Sequence, residues 1–207
     1  MPRALLQSEV DTFRARLCAV AERRFATAGA EGVSMRQLAE ELGVSATAAY
    51  RYFRDKDEIL AATRAGAFNR FAQALEQAAA TAPDPRARAR AVGDAYLRFA
   101  FAEPNAYRLM FDLTQPDEGR FPELAAAGNR ARRTMTAHVE ALVRAGVIEG
   151  DAETLGVVFW ASLHGLIVLH LAGKLPPGAD FGHLQRSARQ LLTRGAKPEA
   201  IRPEPTR

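Results

Sequence analysis

Residues 34–45, Ser-Met-Arg-Gln-Leu-Ala-Glu-Glu-Leu-Gly-Val-Ser, constrain the fold of this chain more than any other stretch. Ser34 and Gln37 form a capping box, in which the serine oxygen accepts from the Gln37 N–H and the Gln37 amide reaches back. Val33 and Leu38 occupy the two positions of a hydrophobic staple. Leu38, Ala39 and Leu42 recur at one-turn spacing, and Gly43 suits the left-handed turn that stops a helix. Ser45 can then cap a further helix after only two residues of turn. Ala39, one turn before Gly43, is small enough for a close helix crossing. The stretch therefore predicts two short helices around a tight turn, as in a helix-turn-helix reader, although helical bundles use the same punctuation.

The rest of the chain also reads as helix. Alternating β-branched runs are missing, and breakers recur at helix-length intervals. Helices are expected at 8–29, 35–42, 46–53, 56–81, 85–102, 104–112, 121–145, 152–173 and 180–194, an all-α protein of about nine helices. Asp55, Asp57 and Glu58 put acids at the positive end of the fourth. The tail 195–207 carries Pro198, Pro203 and Pro205 and is expected to be mobile.

Charge narrows the partners only locally. The 207-residue chain has a net charge of +4, yet residues 1–65 hold ten Lys and Arg against nine Asp and Glu. Any footprint for phosphate must be a small patch, and Arg51, Arg54 and Lys56 against Asp55 supply one. The lone Cys18 makes no internal disulfide and fits a reducing cytoplasm. Residues 1–4 lack the apolar core of a signal peptide. No metal-ligand motif, nucleophile elbow, P-loop or dinucleotide fingerprint is present, so neither an enzyme nor a cofactor is expected.

In a helix-turn-helix arrangement the third helix enters the major groove with its first residues on base edges. Ser45, Ala46, Thr47 and Ala48 are small enough for close approach, and Thr47 can hydrogen-bond a base or a phosphate. Tyr50 and Tyr52 can place hydroxyls on phosphates or pack against the first helix. Arg51 can reach a phosphate or a guanine. Lys56, with the backbone N–H groups around it, suits another phosphate. Phe53 belongs to the core.

The stretch 34–60, "SMRQLAEELGVSATAAYRYFRDKDEIL", resembles the N-terminal domain of the TetR family of bacterial transcriptional regulators. Ala39, Gly43, Tyr50, Tyr52, Phe53 and Lys56 match that family's motif, and the likeness extends over about residues 8–60. The resemblance implies a three-helix DNA-binding domain at 1–55 and a larger helical domain at 56–194 for effector binding and dimerisation. It places Arg36 where relatives contact a base and Ser34 where they contact phosphate. The partners it implies are a double-stranded DNA operator, a small-molecule effector and a second copy of the chain, in the cytoplasm.

Within the larger domain, apolar stripes run through Leu124, Ala131, Met135, His138 and Leu142, then Trp160, Leu163, His164, Ile167 and Leu171. A third runs through Phe181, Leu184, Ala188, Leu191 and Leu192. Residues 155–173 hold 19 positions without a formal charge, near a membrane span in length. Ser162, two histidines and three glycines within them point instead to a helix buried in a bundle or dimer core. Leu163, Ile167, Leu171, Leu184 and Leu191 are the expected dimer contacts.

Trp160-Ala-Ser-Leu-His164-Gly165 resembles the Trp-x-x-x-His-Gly signature of a subgroup of TetR-type C-terminal domains, as does Tyr107-Arg-Leu-Met-Phe111. By that resemblance Trp160 and His164, one turn apart, stand beside a ligand cavity. Tyr96, Phe99, Tyr107, Met110, Phe111 and Met135 are further candidate walls. All eight are equally ordinary core and interface residues. Few acids or bases lie among them, so the expected effector is mainly apolar or aromatic.

Overall fold

A computed structural model describes residues 6–112 and 118–196, and the predicted tail lies outside these from residue 197 onward. The described residues form nine α-helices and no strand: α1 (Gln7–Ala28), α2 (Met35–Glu41), α3 (Ala46–Ala49), α4 (Lys56–Ala80), α5 (Pro85–Ala102), α6 (Pro104–Met110), α7 (Pro122–Arg144), α8 (Ala152–Leu171) and α9 (Phe181–Gly195). A 3-10 turn, Glu118–Arg120, precedes α7.

The predicted helices stand within a few residues of their expected ends, except the third. Expected over 46–53, α3 ends at Ala49. The Tyr50 N–H still reaches the Ala46 carbonyl at 3.1 Å, but those of Arg51 and Tyr52 bond only three residues back, to Ala48 and Ala49. The helix thus tightens where the aromatic residues begin.

The described residues divide into two compact units, one within residues 1–73 and 99–131 and one within 74–98 and 132–207. In the first, α1 contributes Leu17, Val20, Ala21 and Phe25 to a core shared with Leu38 and Ala39 of α2, Ala49 of α3, Phe53, Ile59 and Leu60. Leu109 of α6 joins the same core. Arg70 of α4 holds Glu22 of α1 at 2.7 Å and Glu103, before α6, at 2.9 Å. Arg64, 2% exposed, meets Glu118 at 2.8 Å, and burial pulls its pKa below the ordinary arginine value despite that partner.

In the second unit α8 packs on α9, and Val139, Leu142 and Ile148 form a small buried cluster with Ala196. Gly156 marks a close approach of α7 and α8, because a Cβ there would stand 3.0 Å from the Thr136 methyl. The expectation that residues 155–173 are buried fails within the chain. Only Gly156 and Ile167 of α8 are buried, and Val157, Val158, Val168 and Leu169 are each more than 40% exposed. By length and composition alone α8 passes for a membrane span.

Candidate nucleic-acid interface and cavity

The turn between α2 and α3 is built as its sequence predicts. Ser34 accepts from the Gln37 N–H at 3.3 Å, and the Gln37 side chain accepts from the Ser34 N–H at 2.8 Å. At the other end of α2 the Val44 N–H bonds the Ala39 carbonyl and the Gly43 N–H bonds that of Glu40, each at 3.0 Å, a Schellman closure. Gly43 adopts φ +72° with nothing within 4 Å of a built Cβ, so its backbone conformation, not crowding, favours glycine. Ser45 then accepts from the Ala48 N–H at 3.2 Å and starts α3.

These caps leave one polar surface facing outward. Ser34, Arg36, Ser45, Thr47, Tyr50 and Arg51 are exposed, while Ala46 and Ala48 are half-buried. Tyr50 is 54% exposed, as a phosphate-reaching hydroxyl requires. Tyr52 behaves differently. Its ring stacks on Phe13 of α1 with centroids 4.0 Å apart, so the packing role open in the sequence is the one its ring takes.

The charged candidates differ in how free they are. The Arg51 side chain makes no hydrogen bond or ion pair among the described residues. Arg36 holds Glu40 one turn along at 2.7 Å, and that bond raises its pKa above the ordinary arginine value. Lys56 donates to the Ala30 carbonyl at 2.7 Å, tying the loop after α1 to the head of α4. An ammonium has three donors, so this bond leaves two. The Glu58 N–H at the head of α4 is already taken by Asp55 at 2.8 Å.

Arg14 of α1 is a residue the sequence reading passed over. Its guanidinium lies 3.9 Å from the Phe53 ring centroid, donates to the Tyr52 carbonyl and pairs with Glu58 at 3.3 Å. It thereby braces the segment after α3 from beneath. An arginine one position after Phe13, on the side of α1 that leads to Leu17, was the available signal. Burial opposes ionisation of Glu58, but bonds from the Arg54 N–H, the Arg54 side chain and Arg14 hold its pKa below the usual carboxylate range.

The second unit holds a cavity of about 100 Å³ bordered by α5, α7, α8 and α9. Of the candidate ligand residues, Tyr96, Met135 and Trp160 line it, and Trp160 donates its indole N–H to the Tyr96 hydroxyl at 3.0 Å. His164 is not among the walls. Its ring sits 6.1 Å from the Trp160 ring, and burial pushes its pKa below the ordinary histidine value. His138, read from the sequence as a core-stripe residue, is a wall instead. Burial lowers its pKa, with a bond to the Thr134 carbonyl one turn back pulling the other way. The signal for His138 was its i, i+3 spacing from Met135.

The other four candidate walls belong to the first unit and do not line this cavity. Phe99 meets Phe71 edge-on at 5.2 Å, and Phe111 stands edge-on to Phe68 and Tyr107. Tyr107 and Met110 are almost fully buried. Aromatic content located these residues but could not distinguish a packed cluster from a cavity wall.

The expected dimer contacts also divide. Ile167 is 0% exposed, so it offers no surface to a second chain, and Leu163 borders the cavity. Leu171 and Leu184 are half-buried. Leu191 is 69% exposed, an apolar side chain that its own chain leaves uncovered.

A capped helix-turn-helix with an exposed polar face, on an all-helical chain, defines the class of protein. Residues 17–63 match the profile of bacterial regulatory proteins of the tetR family, and residues 89–194 match that of the tetracyclin repressor-like C-terminal domain. The chain belongs to the tetR family and is a DNA-binding transcriptional regulator of a non-enzymatic family. It is similar to a protein of unknown function from Rhodococcus sp. RHA1, at 33% identity and TM-score 0.77 over 89% of this chain and 95% of that one. The fold is shared with the TetR family transcriptional regulator PfmR from Thermus thermophilus, at 24% identity and TM-score 0.68 over 88% and 100% of the two chains. A TetR family transcription regulator from Marinobacter aquaeolei VT8 shares it at 19% identity and TM-score 0.69, over 90% and 97%. No curated protein matches the chain.

Proposed function

We propose that the protein is a cytoplasmic repressor that binds a palindromic operator as a homodimer and leaves it when a small, mainly apolar effector binds. Residues 1–55 read DNA, and residues 56–194 hold the effector and pair the subunits. The observation that carries the reading is the exposed face of α3 and its turn. Thr47 and the small residues around it approach bases, and Tyr50 reaches phosphate, with Ser34, Arg36, Lys56 and the Tyr52 hydroxyl as flanking contacts. Two such helices bind half-sites one helical turn, about 34–36 Å, or a multiple of that apart.

The apolar surface of Val157, Val158, Val168, Leu169 and Leu191 supports pairing, since a second copy would cover what one chain leaves in water. The same cover accounts for α8 without a membrane. Trp160, His164 and Gly165 support assignment to the Trp-x-x-x-His-Gly subgroup. An effector that prefers the DNA-free conformation by about 1–3 kcal/mol would shift operator occupancy roughly 5–150-fold.

The test is binding of the purified protein to its own upstream DNA and to random duplex at moderate salt, and equal affinity would overturn the reading. Arg51→Ala should weaken binding in either role. A flatter salt dependence, with a slope lower by about 0.9, assigns Arg51 to phosphate. Relaxed discrimination at one base pair assigns it to a base.

A further inference from the structure

A glycine inside a helix weakens it relative to alanine, so its presence asks for a physical reason. Helix α8 holds two. Gly156 has its reason within the chain, in the Thr136 methyl 3.0 Å from a Cβ built there. Gly165 has none, because a Cβ at that position meets nothing within 4 Å. The space beside Gly165 opens on the uncovered side of α8. At 3.6 residues per turn, Val157, Val158, Ala161, Gly165, Val168 and Leu169 fall within about 120° of one another. Ala161 is exposed, as are the four larger side chains.

The face has the same pattern read from either end. Val157 and Val158 stand six and five residues before position 163, and Val168 and Leu169 five and six after it. Ala161 and Gly165 stand two residues to either side. A two-fold axis at that position sets small against small at the centre and branched aliphatic against branched aliphatic on both flanks. Charge fixes the direction. Residues 154–173 carry no formal charge and are bounded by Glu153 and Lys174, both exposed and neither in an ion pair among the described residues. Parallel helices would bring acid to acid and base to base. Antiparallel helices bring each Glu153 beside the other copy's Lys174.

We infer that α8 pairs with α8 of a second copy, antiparallel and in register about position 163, with the backbones closest at Ala161 and Gly165. The inference rests on the homodimer reading given above and adds to it the surface, its direction and its register.

The experiment oxidises the full chain carrying single cysteines in a Cys18→Ala background, which removes the only native thiol. At 1.5 Å per residue, position 158 lies about 15 Å along the axis from its counterpart in the pair, but beside position 169 of the other copy. A disulfide needs Cα atoms about 5.5–6 Å apart. Val158→Cys co-expressed with Leu169→Cys should therefore give a covalent heterodimer, and neither variant alone should crosslink. Crosslinking of Val158→Cys to itself, or none in the co-expressed pair, would overturn the register, while a dimer in sedimentation would leave the pairing reading standing. A monomer in sedimentation would overturn both. Gly165→Leu meets open space in the single chain, so it should fold, yet its bulk at the crossing should raise the dimer dissociation constant at least about thirtyfold. A rise under about threefold would remove the crossing from Gly165. Glu153→Lys should raise the constant about fivefold at low salt, and adding Lys174→Glu should reverse the loss. A loss without reversal would overturn the antiparallel direction.

Discussion

The helix-turn-helix segment and the α8–α9 pair solve burial in opposite ways. The first closes its core, with Leu109 of α6 as part of it: Leu17, Ala21, Leu38, Ala39, Ala49 and Ile59 have no exposed surface, and the polar side chains stay outside. The second does not. No residue of α9 is buried among Phe181–Gly195, and α8 leaves four large aliphatic side chains in water. A reading head that must present one rigid polar face to a duplex gains from an internally complete core. A helix pair with an uncovered apolar face has stability still to gain from a partner. Two different kinds of mutation should therefore separate the regions.

The largest effect on a single chain is expected at Phe53, which is 1% exposed within the first core. Phe53→Ala should destabilise it by about 3–5 kcal/mol, read from denaturant unfolding followed by circular dichroism. A cost under about 1 kcal/mol would mean that the core is not as closed as its burial indicates. The paired change, Val168→Arg with Leu169→Arg, lies on exposed surface and should cost the single chain little, within about 0.5 kcal/mol per site. Its effect should fall on association. Two desolvated charges at an apolar interface weaken pairing by at least about 2–5 kcal/mol, which sedimentation would register as monomer. An unchanged dimer would move the interface off this face of α8.

A smaller effect is expected at the caps. Ser34→Ala removes the oxygen that accepts from the Gln37 N–H and should cost about 1 kcal/mol of stability. Ser45→Ala should cost a similar amount through the Ala48 N–H. If both are neutral, the turn is held by the Schellman closure at Gly43 alone. In that case Gly43→Ala, which forces an L side chain to φ +72°, should exceed either.

The same contrast explains what could be read from the residues alone. The turn was legible because each feature is local: a cap needs only its own N3 residue, and a left-handed stop needs only Gly43. The short α3 was not legible, since nothing in Tyr50-Arg51-Tyr52 announces a tightening that accompanies Tyr52 stacking on Phe13. The cavity was half legible. Tyr96, Met135 and Trp160 were found by being aromatic or soft, but the same criterion admitted Tyr107, Met110 and Phe111, which fill a core. Long-range packing separates the two groups, and periodicity carries no record of it. His138 was missed because a histidine on an apolar stripe reads as core until a neighbouring helix fails to fill the space beside it. Ile167 shows the converse error, since a leucine-rich stripe does not say which of its members faces its own chain.

Protonation offers the finest separation of the two regions. His138 and His164, both in the second unit, are held below the ordinary histidine pKa by burial. Between their folded values and about 6.5, the unfolded chain binds more protons than the folded one, so stability falls as pH drops through that interval. Glu58, in the first unit, is depressed for a carboxylate. Its contribution is fully present above about 4.3 and is lost only as pH falls towards its lower folded value. Acidification from pH 7 to pH 5 should therefore weaken the surroundings of Trp160 before it touches the α1–α4 contacts made by Arg14 and Glu58. Denaturant midpoints followed by tryptophan fluorescence at the two pH values would show the loss. His138→Phe and His164→Phe, each removing one titrating ring, should reduce it. A midpoint that does not move, or one that falls equally in both variants and the unaltered chain, would show that neither imidazole is kept neutral by the fold.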